Sequence, residues 1–243
     1  MGDSKMRLVD LTHTLDGDSP YWPEDKPGSP FHTIVATTYP KDGNFTRNFS
    51  MPEHLGTHMD APVHFDPEGE AVDRISVERF FAPAVVIDVS SAATPNPDYR
   101  VTAEDIKTWA ERNGVFPHGA VVFFRTGWAA RWPSQEQYMN ADLQGLLHFP
   151  GLSLEAARYL LDHVQPVGIG IDTASVDYGP STDFPVHNLL MPAGIYHLES
   201  VANLDQLPAT GFRVVALPLK LGGGSGAPVR VVAVVLTESE THH

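Results

Sequence analysis

The stretch His54-Leu55-Gly56-Thr57-His58-Met59-Asp60-Ala61-Pro62-Val63-His64-Phe65 decides how the chain is read. Three imidazoles and a carboxylate fall within eleven residues, and His54, His58, Asp60 and His64 all occupy even positions. In an extended segment successive side chains alternate between faces, so these four would project together, with Gly56 leaving space beside them. A helix pairs His54 with His58 at i, i+4. Asp60 would leave that face, and Gly56, Thr57 and Pro62 are poor helix formers. The spacing therefore predicts a strand or loop carrying a metal site. Neutral imidazole with carboxylate suits Zn²⁺, Mn²⁺ or Fe²⁺, and two histidines with one carboxylate leave positions open for water and substrate. His54, His58 and Asp60 are the primary candidate ligands. His64 is either a fourth ligand or a general acid/base. The bland alternative is a polar loop with coincidental histidines, against which stand four aligned ligand-type side chains.

Composition narrows the class. A chain of 243 residues with 42% hydrophobic content buries a sizeable core. No apolar stretch approaches the ~20 residues of a membrane helix, and the polar start Met1-Gly2-Asp3-Ser4-Lys5 lacks the apolar core of a signal peptide. A net charge of −14 argues against a nucleic-acid partner, whose phosphates it would repel. With no cysteine there is neither a disulfide, nor a thiolate ligand, nor a cysteine nucleophile, which fits a reducing cytoplasm. Glu238 to His243 read as a frayed terminus, with His242 and His243 set aside as a tag remnant.

Along the chain, 6–12, 31–38 and 45–51 read as strands leading into the histidine run. Buried strands are expected at 82–89, 120–125 and 166–171, from their β-branched apolar character. Thr102-Ala103-Glu104-Asp105 opens a helix that Asn113-Gly114 closes, and Ser153 caps another running to His163. Segments 212–219 and 229–236 form a final pair. The order fits a single mixed α/β domain over 1–243, unlike a doubly wound nucleotide fold.

The pattern His-x-Gly-Thr-His-x-Asp-x-Pro-x-His-Phe resembles the signature of the metal-dependent cyclase/hydrolase family, which includes bacterial kynurenine formamidase and isatin hydrolase, and every fixed position of it is filled. Further blocks are similar: Leu11-Thr12-His13-Thr14-Leu15 with Tyr21-Trp22-Pro23-Glu24-Asp25, Ile171 to Asp177, His187 to Leu190, Leu198 to Leu204, and the pair Ala216 to Lys220 with Ala227 to Arg230. The resemblance implies a swivelling β/β/α domain, a central barrel-like mixed sheet with outer helices, and a homodimer. It favours His64 as the acid/base, since an imidazole can take a proton from an activated water and pass it to a leaving nitrogen near neutral pH. His187 and Glu199 match positions that hold a second metal in kynurenine formamidases, with Asp60 bridging. The other reading has them orienting substrate or water. The implied cofactor is Mn²⁺ or Zn²⁺, one or two ions per chain.

Weaker features are weighed against plainer explanations. Gly222-Gly223-Gly224-Ser225-Gly226 lacks the lysine and hydroxyl residue of a phosphate loop. It is either a flexible hairpin loop or a pocket edge placing Ser225 on substrate, and with Ala227-Pro228 it resembles the isatin hydrolase form. Tyr21, Trp22 and Phe184 flank the motif blocks and are candidates for an aromatic substrate pocket, simple packing being the alternative. Asp172 and Asp177 follow a buried strand and read either as turn or surface salt-bridge residues, the favoured reading, or as groups standing behind the metal ligands. His13, His32, His118, His148, His163 and His197 read as structural. No Gly-x-Ser-x-Gly elbow supports a serine hydrolase. The expectation is a metal-dependent amidohydrolase opening a carbon–nitrogen bond in a small aromatic lactam or amide, on the isatin hydrolase side. Its rivals are an arylformamidase and a metal-binding protein without turnover.

Overall fold

A strand with one residue in the core must turn its two neighbours away from it, and that alternation builds the site. The structure, a computed structural model, describes residues 5–23 and 30–237. Glu24, Asp25, Met1 to Ser4 and the segment 238–243, on which some expectations fall, lie outside the described residues. Its strands are β1 (Lys5–Asp10), β2 (His32–Thr37), β3 (Thr46–Ser50), β4 (His58–Asp60), β5 (Phe81–Asp88), β6 (Arg100–Val101), β7 (Val121–Arg125), β8 (Gly151–Leu152), β9 (Gly168–Ile171), β10 (Tyr196–Glu199), β11 (Phe212–Pro218) and β12 (Gly226–Thr237). The main sheet runs β1-β12-β11-β5-β7-β9-β10-β4, and a further pairing of β12 with β4 closes seven of these strands into a ring. β5, β7, β9 and β10 are parallel neighbours, while β4, β11 and β12 join them antiparallel. This is the barrel-like mixed sheet expected.

Parallel strands covered on both faces read as continuous apolar runs, and the alternation sorts each run between two cores. Ala84, Val86, Val121 and Phe123 join Met59, Tyr196 and Leu198 inside the ring. Val85, Ile87, Val122, Phe124, Ile169 and Ile171 face outward onto Ile106, Trp109, Leu160, Val186 and Leu190 of the outer helices. The capped helix is Ala103–Asn113, with a reciprocal bond between Thr102 and Asp105. The Ser153-capped helix spans Leu154–Tyr159 and continues as a π turn through Val164.

Two expectations change. Segments 32–37 and 46–50 do pair, but as a separate two-stranded ribbon rather than as part of the sheet leading into the histidine run. The histidine run is also not one extended strand. Only His58–Asp60 is β4, because Pro62 has no N–H with which to continue a ladder and opens a 3₁₀ turn, Pro62–His64.

Candidate metal centre

In β4, Met59 faces the interior, so His58 and Asp60 face outward. In β10, Tyr196 and Leu198 face inward, so His197 and Glu199 face outward. The antiparallel register sets His197 opposite Asp60 and Glu199 opposite His58. Two imidazoles and two carboxylates thus share one patch of the barrel's outer face, all of it buried. The helix Pro185–Leu190 lies over this patch and adds His187. His54 arrives from the loop before β4, where Gly56 turns the chain at a φ of +67°. On the far side β12 packs close. A Cβ on Gly226 would meet His54 Cε1 at 2.5 Å, so glycine there is a condition for the position of the His54 ring.

The six side chains form two donor sets sharing one carboxylate. The ligand atoms of His54, His58 and Asp60 converge in one set, those of Asp60, His187, His197 and Glu199 in the other, each within 4.8 Å of one another. Asp60 divides its oxygens between them. Oδ1 lies 2.6 Å from His54 Nδ1 and 3.1 Å from His58 Nε2, while Oδ2 lies 3.3 Å from His187 Nε2. Glu199 stands between His58 and His187, 3.5 Å from each, and accepts a bond from the Val176 N–H.

Each of three imidazoles is oriented by a partner behind it. His58 Nδ1 donates to the Gly56 carbonyl at 2.9 Å, leaving Nε2 to face the carboxylates. His187 Nδ1 bonds Asp177 at 2.7 Å. Asp177 also accepts the N–H groups of Val186 and His187 at the start of their helix, so one carboxylate positions both ring and helix. His54 Nε2 lies 2.9 Å from Ser225 Oγ, which in turn donates to Glu53 Oε2 at 2.8 Å. Such outer partners fix the tautomer and aim the free nitrogen at a metal.

The placements revise several readings. Ser225 sits behind His54 rather than on the pocket wall, so it orients an imidazole where a substrate contact was expected. Glu53, unremarked in the sequence, ties Ser225 and Gly226 to that position. Asp177 orients His187 and is no mere turn residue, whereas Asp172 does anchor the Thr126–Gly127 turn. His197, read as structural, is fully buried with neither ring nitrogen bonded. His64 belongs to neither donor set. Its ring stacks on His54 at 4.1 Å between centroids and opens onto the pocket.

That pocket, about 320 Å³, has the donor sets at its foot and Tyr21, Trp22, Phe65 and Phe184 on its walls. Trp22 and Phe184 rings stand 6.3 Å apart, and Phe65 and Phe184 5.6 Å apart. The Gln135 side chain clamps both backbone groups of Tyr21. Phe184 holds a left-handed φ of 46°, an uncommon conformation for a bulky residue, and sits where the wall meets the helix of His187.

The electrostatics suit a cation. Burial works against charge on His58, yet Asp60, through charge and hydrogen bond, and Glu199 outweigh it and raise the imidazole to about 9. Burial likewise opposes charge on His187, and bonds to Asp177, Asp60 and Glu199 raise it well above the usual range. An entering cation must therefore displace protons. Mn²⁺ affinity is expected to weaken as pH falls below about 9, by roughly tenfold per pH unit for each proton released. Calorimetric titration in buffers of differing protonation enthalpy measures both quantities. Affinity independent of pH between about 6 and 9 would contradict it.

Fold and site together define the class: a barrel-like mixed sheet with a buried imidazole–carboxylate centre able to hold metal. The chain belongs to the cyclase family, whose family model, described as "Putative cyclase", matches residues 9–178. It is similar to an isatin hydrolase from Roseibium aggregatum, 36% identical over 95% of this chain and 92% of the relative. It is similar also to a kynurenine formamidase from Salinibacter ruber, 30% identical over 93% of this chain and 97% of the relative. Among solved structures, an isatin hydrolase bound to the product analogue thioisatinate superposes with a TM-score of 0.89 at 34% identity, covering 96% of this chain and 93% of the other.

Proposed function

We propose that the protein is a cytoplasmic metal-dependent amidohydrolase that opens the lactam of isatin to isatinate, using two Mn²⁺ or Zn²⁺ ions per chain. The observation that carries this is the Asp60 carboxylate, one oxygen in each donor set, at the foot of an aromatic pocket. Likeness to isatin hydrolases over nearly the whole chain supports the substrate. His54, His58 and Asp60 would hold one cation, and Asp60, His187 and Glu199 would hold the second. When bound, such cations polarise a carbonyl and lower the pKa of water toward ~7.

The chain's own groups do the rest. His64 accepts a proton from the attacking water as its oxygen bonds the carbonyl carbon. It returns that proton to the ring nitrogen as the carbon–nitrogen bond breaks, leaving an aromatic amine and a carboxylic acid that gives up its remaining proton to solvent as the carboxylate. Trp22, Tyr21 and Phe184 hold a flat bicyclic ring against the centre, where restricted orientation lowers the barrier.

A rigid fused lactam loses less freedom on binding than the flexible side chain of N-formylkynurenine. Metal-loaded protein is therefore expected to show a kcat/KM for isatin about tenfold or more above that for the formamide. The reverse preference would make it an arylformamidase, the activity named for the Salinibacter ruber relative. No turnover of either compound would point to another carbonyl substrate.

The ribbon of β2 and β3 supports a homodimer. Among the described residues it pairs with no other strand, and Ile34 (70%) and Phe49 (61%) are largely exposed, with Val35, Tyr39 and Phe45 beside them. An isolated two-stranded ribbon is marginal in water, and clustered apolar exposure marks an interface. Sedimentation equilibrium is expected to give a dimer that Ile34→Glu with Phe49→Glu converts to monomer. A monomeric parent protein would refute it.

A further inference from the structure

We infer that His197 is a fourth donor to the second cation, completing a set with Asp60, His187 and Glu199. The inference rests on the two-cation reading and adds to it the residue that closes the inner site.

Three independent observations converge on this side chain. The first is register: His197 stands directly opposite Asp60 in the ladder and two residues before Glu199, so it shares their face. The second is distance. Its donor atom falls within 4.8 Å of those of Asp60, His187 and Glu199, and its ring lies 4.7 Å from that of His187. Metal–nitrogen and metal–oxygen bonds of about 2.0–2.2 Å hold tetrahedral donors roughly 3.3–3.6 Å apart, so the set needs to contract by at most about 1.5 Å. The third is satisfaction. Buried polar groups are almost always hydrogen-bonded, yet His197 is 0% exposed and both its nitrogens lack a partner. Every other imidazole in the two sets has at least one nitrogen bonded to an orienting group. A cation among these four donors supplies the partner the protein withholds.

The arrangement assigns different work to the two ions. His54, His58, Asp60, His187 and Glu199 all line the pocket, whereas His197 does not. It approaches from beneath. A site with four protein donors is closed in the manner of structural sites, whereas three donors leave positions for water and substrate. His54, His58 and Asp60 would therefore hold an ion open to substrate, and His197 with Asp60, His187 and Glu199 would form the closed set.

The test uses full-length protein stripped by chelation and reloaded with Co²⁺, comparing the parent with His197→Leu and His197→Gln. The parent is expected to take two ions per chain. Both variants should keep one at parental affinity, bind the other roughly 10²-fold more weakly or not at all, and lose one hyperfine-shifted imidazole N–H signal from the proton spectrum. Folding supplies a second readout of opposite sign. Without metal, His197→Leu removes two unsatisfied nitrogens, so it should melt at or above the parental temperature. Two ions bound with parental affinity and an unchanged spectrum in both variants would overturn the assignment and leave the two-cation reading standing. A lower melting temperature of stripped His197→Leu would likewise overturn it, by showing a structural role. A parent that takes only one ion would remove the reading on which it rests.

Discussion

Asp60→Ala is expected to bind neither cation and to lose about 10³-fold or more in turnover. The size follows from what a bound metal contributes to hydrolysis, several kcal/mol of charge stabilisation, with each 1.36 kcal/mol worth tenfold in rate. Asp60 is the one residue common to both donor sets, so its loss removes a ligand from each. Its carboxyl is buried, which by itself would raise its pKa, but His58 and His54 by charge, and hydrogen bonds from His187 and His54, hold it well below the usual carboxylate range. Removing it takes away the anion that does most to keep buried His58 charged, so burial drives that imidazole toward its neutral form, and breaking a buried pair costs about 3–5 kcal/mol. Asp60→Asn keeps the volume and provides the folding control. Metal analysis of dialysed protein, with turnover measured on the same samples, decides the matter. One retained ion in folded Asp60→Asn would show that the second set stands without the bridge. Full activity in metal-free parent protein would end the mechanism.

The histidine run was legible because ligand chemistry is a property of residue type and spacing. His54, His58 and Asp60 do converge, although by a loop and a short strand rather than by one extended segment. The helices at 103 and 154 were legible because their caps are local, a threonine or serine hydroxyl bonding an N–H three residues on. Three features escaped. β10 carries apolar Tyr196 and Leu198 between turn-rich blocks, too short for a periodic signal. His197 gains meaning only from cross-strand register with Asp60, a pairing 137 residues apart that no single-segment pattern reports. Asp177 and Ser225 act through His187 and His54 across loop closures, and side-chain partners of that kind have no sequence period. The Asp-x-x-x-x-x-x-x-x-x-His spacing from 177 to 187 was visible, but an outer-sphere role needed the intervening loop to fold back.

His64→Ala is expected to keep both cations and lose about 10²–10⁴ in kcat, the range for a positioned acid/base. Its ring is stacked on His54 at 4.1 Å with 24° between planes, and it belongs to neither donor set. Desolvation by the pocket walls lowers its imidazole to about 4, with His54, His187 and His58 adding to the effect and Asp60 opposing it. Since a base works in its deprotonated form, His64 is ready to accept a proton at every pH above about 4. The acid limb of the pH–rate profile should therefore follow proton competition at His58 and His187, the groups raised above their ordinary values, rather than His64. Two readouts separate this from a structural effect. Added imidazole should restore part of the turnover to His64→Ala, because the cavity vacated at the pocket edge is open to small molecules. The metal content of His64→Ala should match the parent, whereas that of His58→Ala should fall. A parallel loss of metal in both variants would make His64 a ligand, and the proton would then have to pass through another group, Glu199 being the remaining base at the pocket foot.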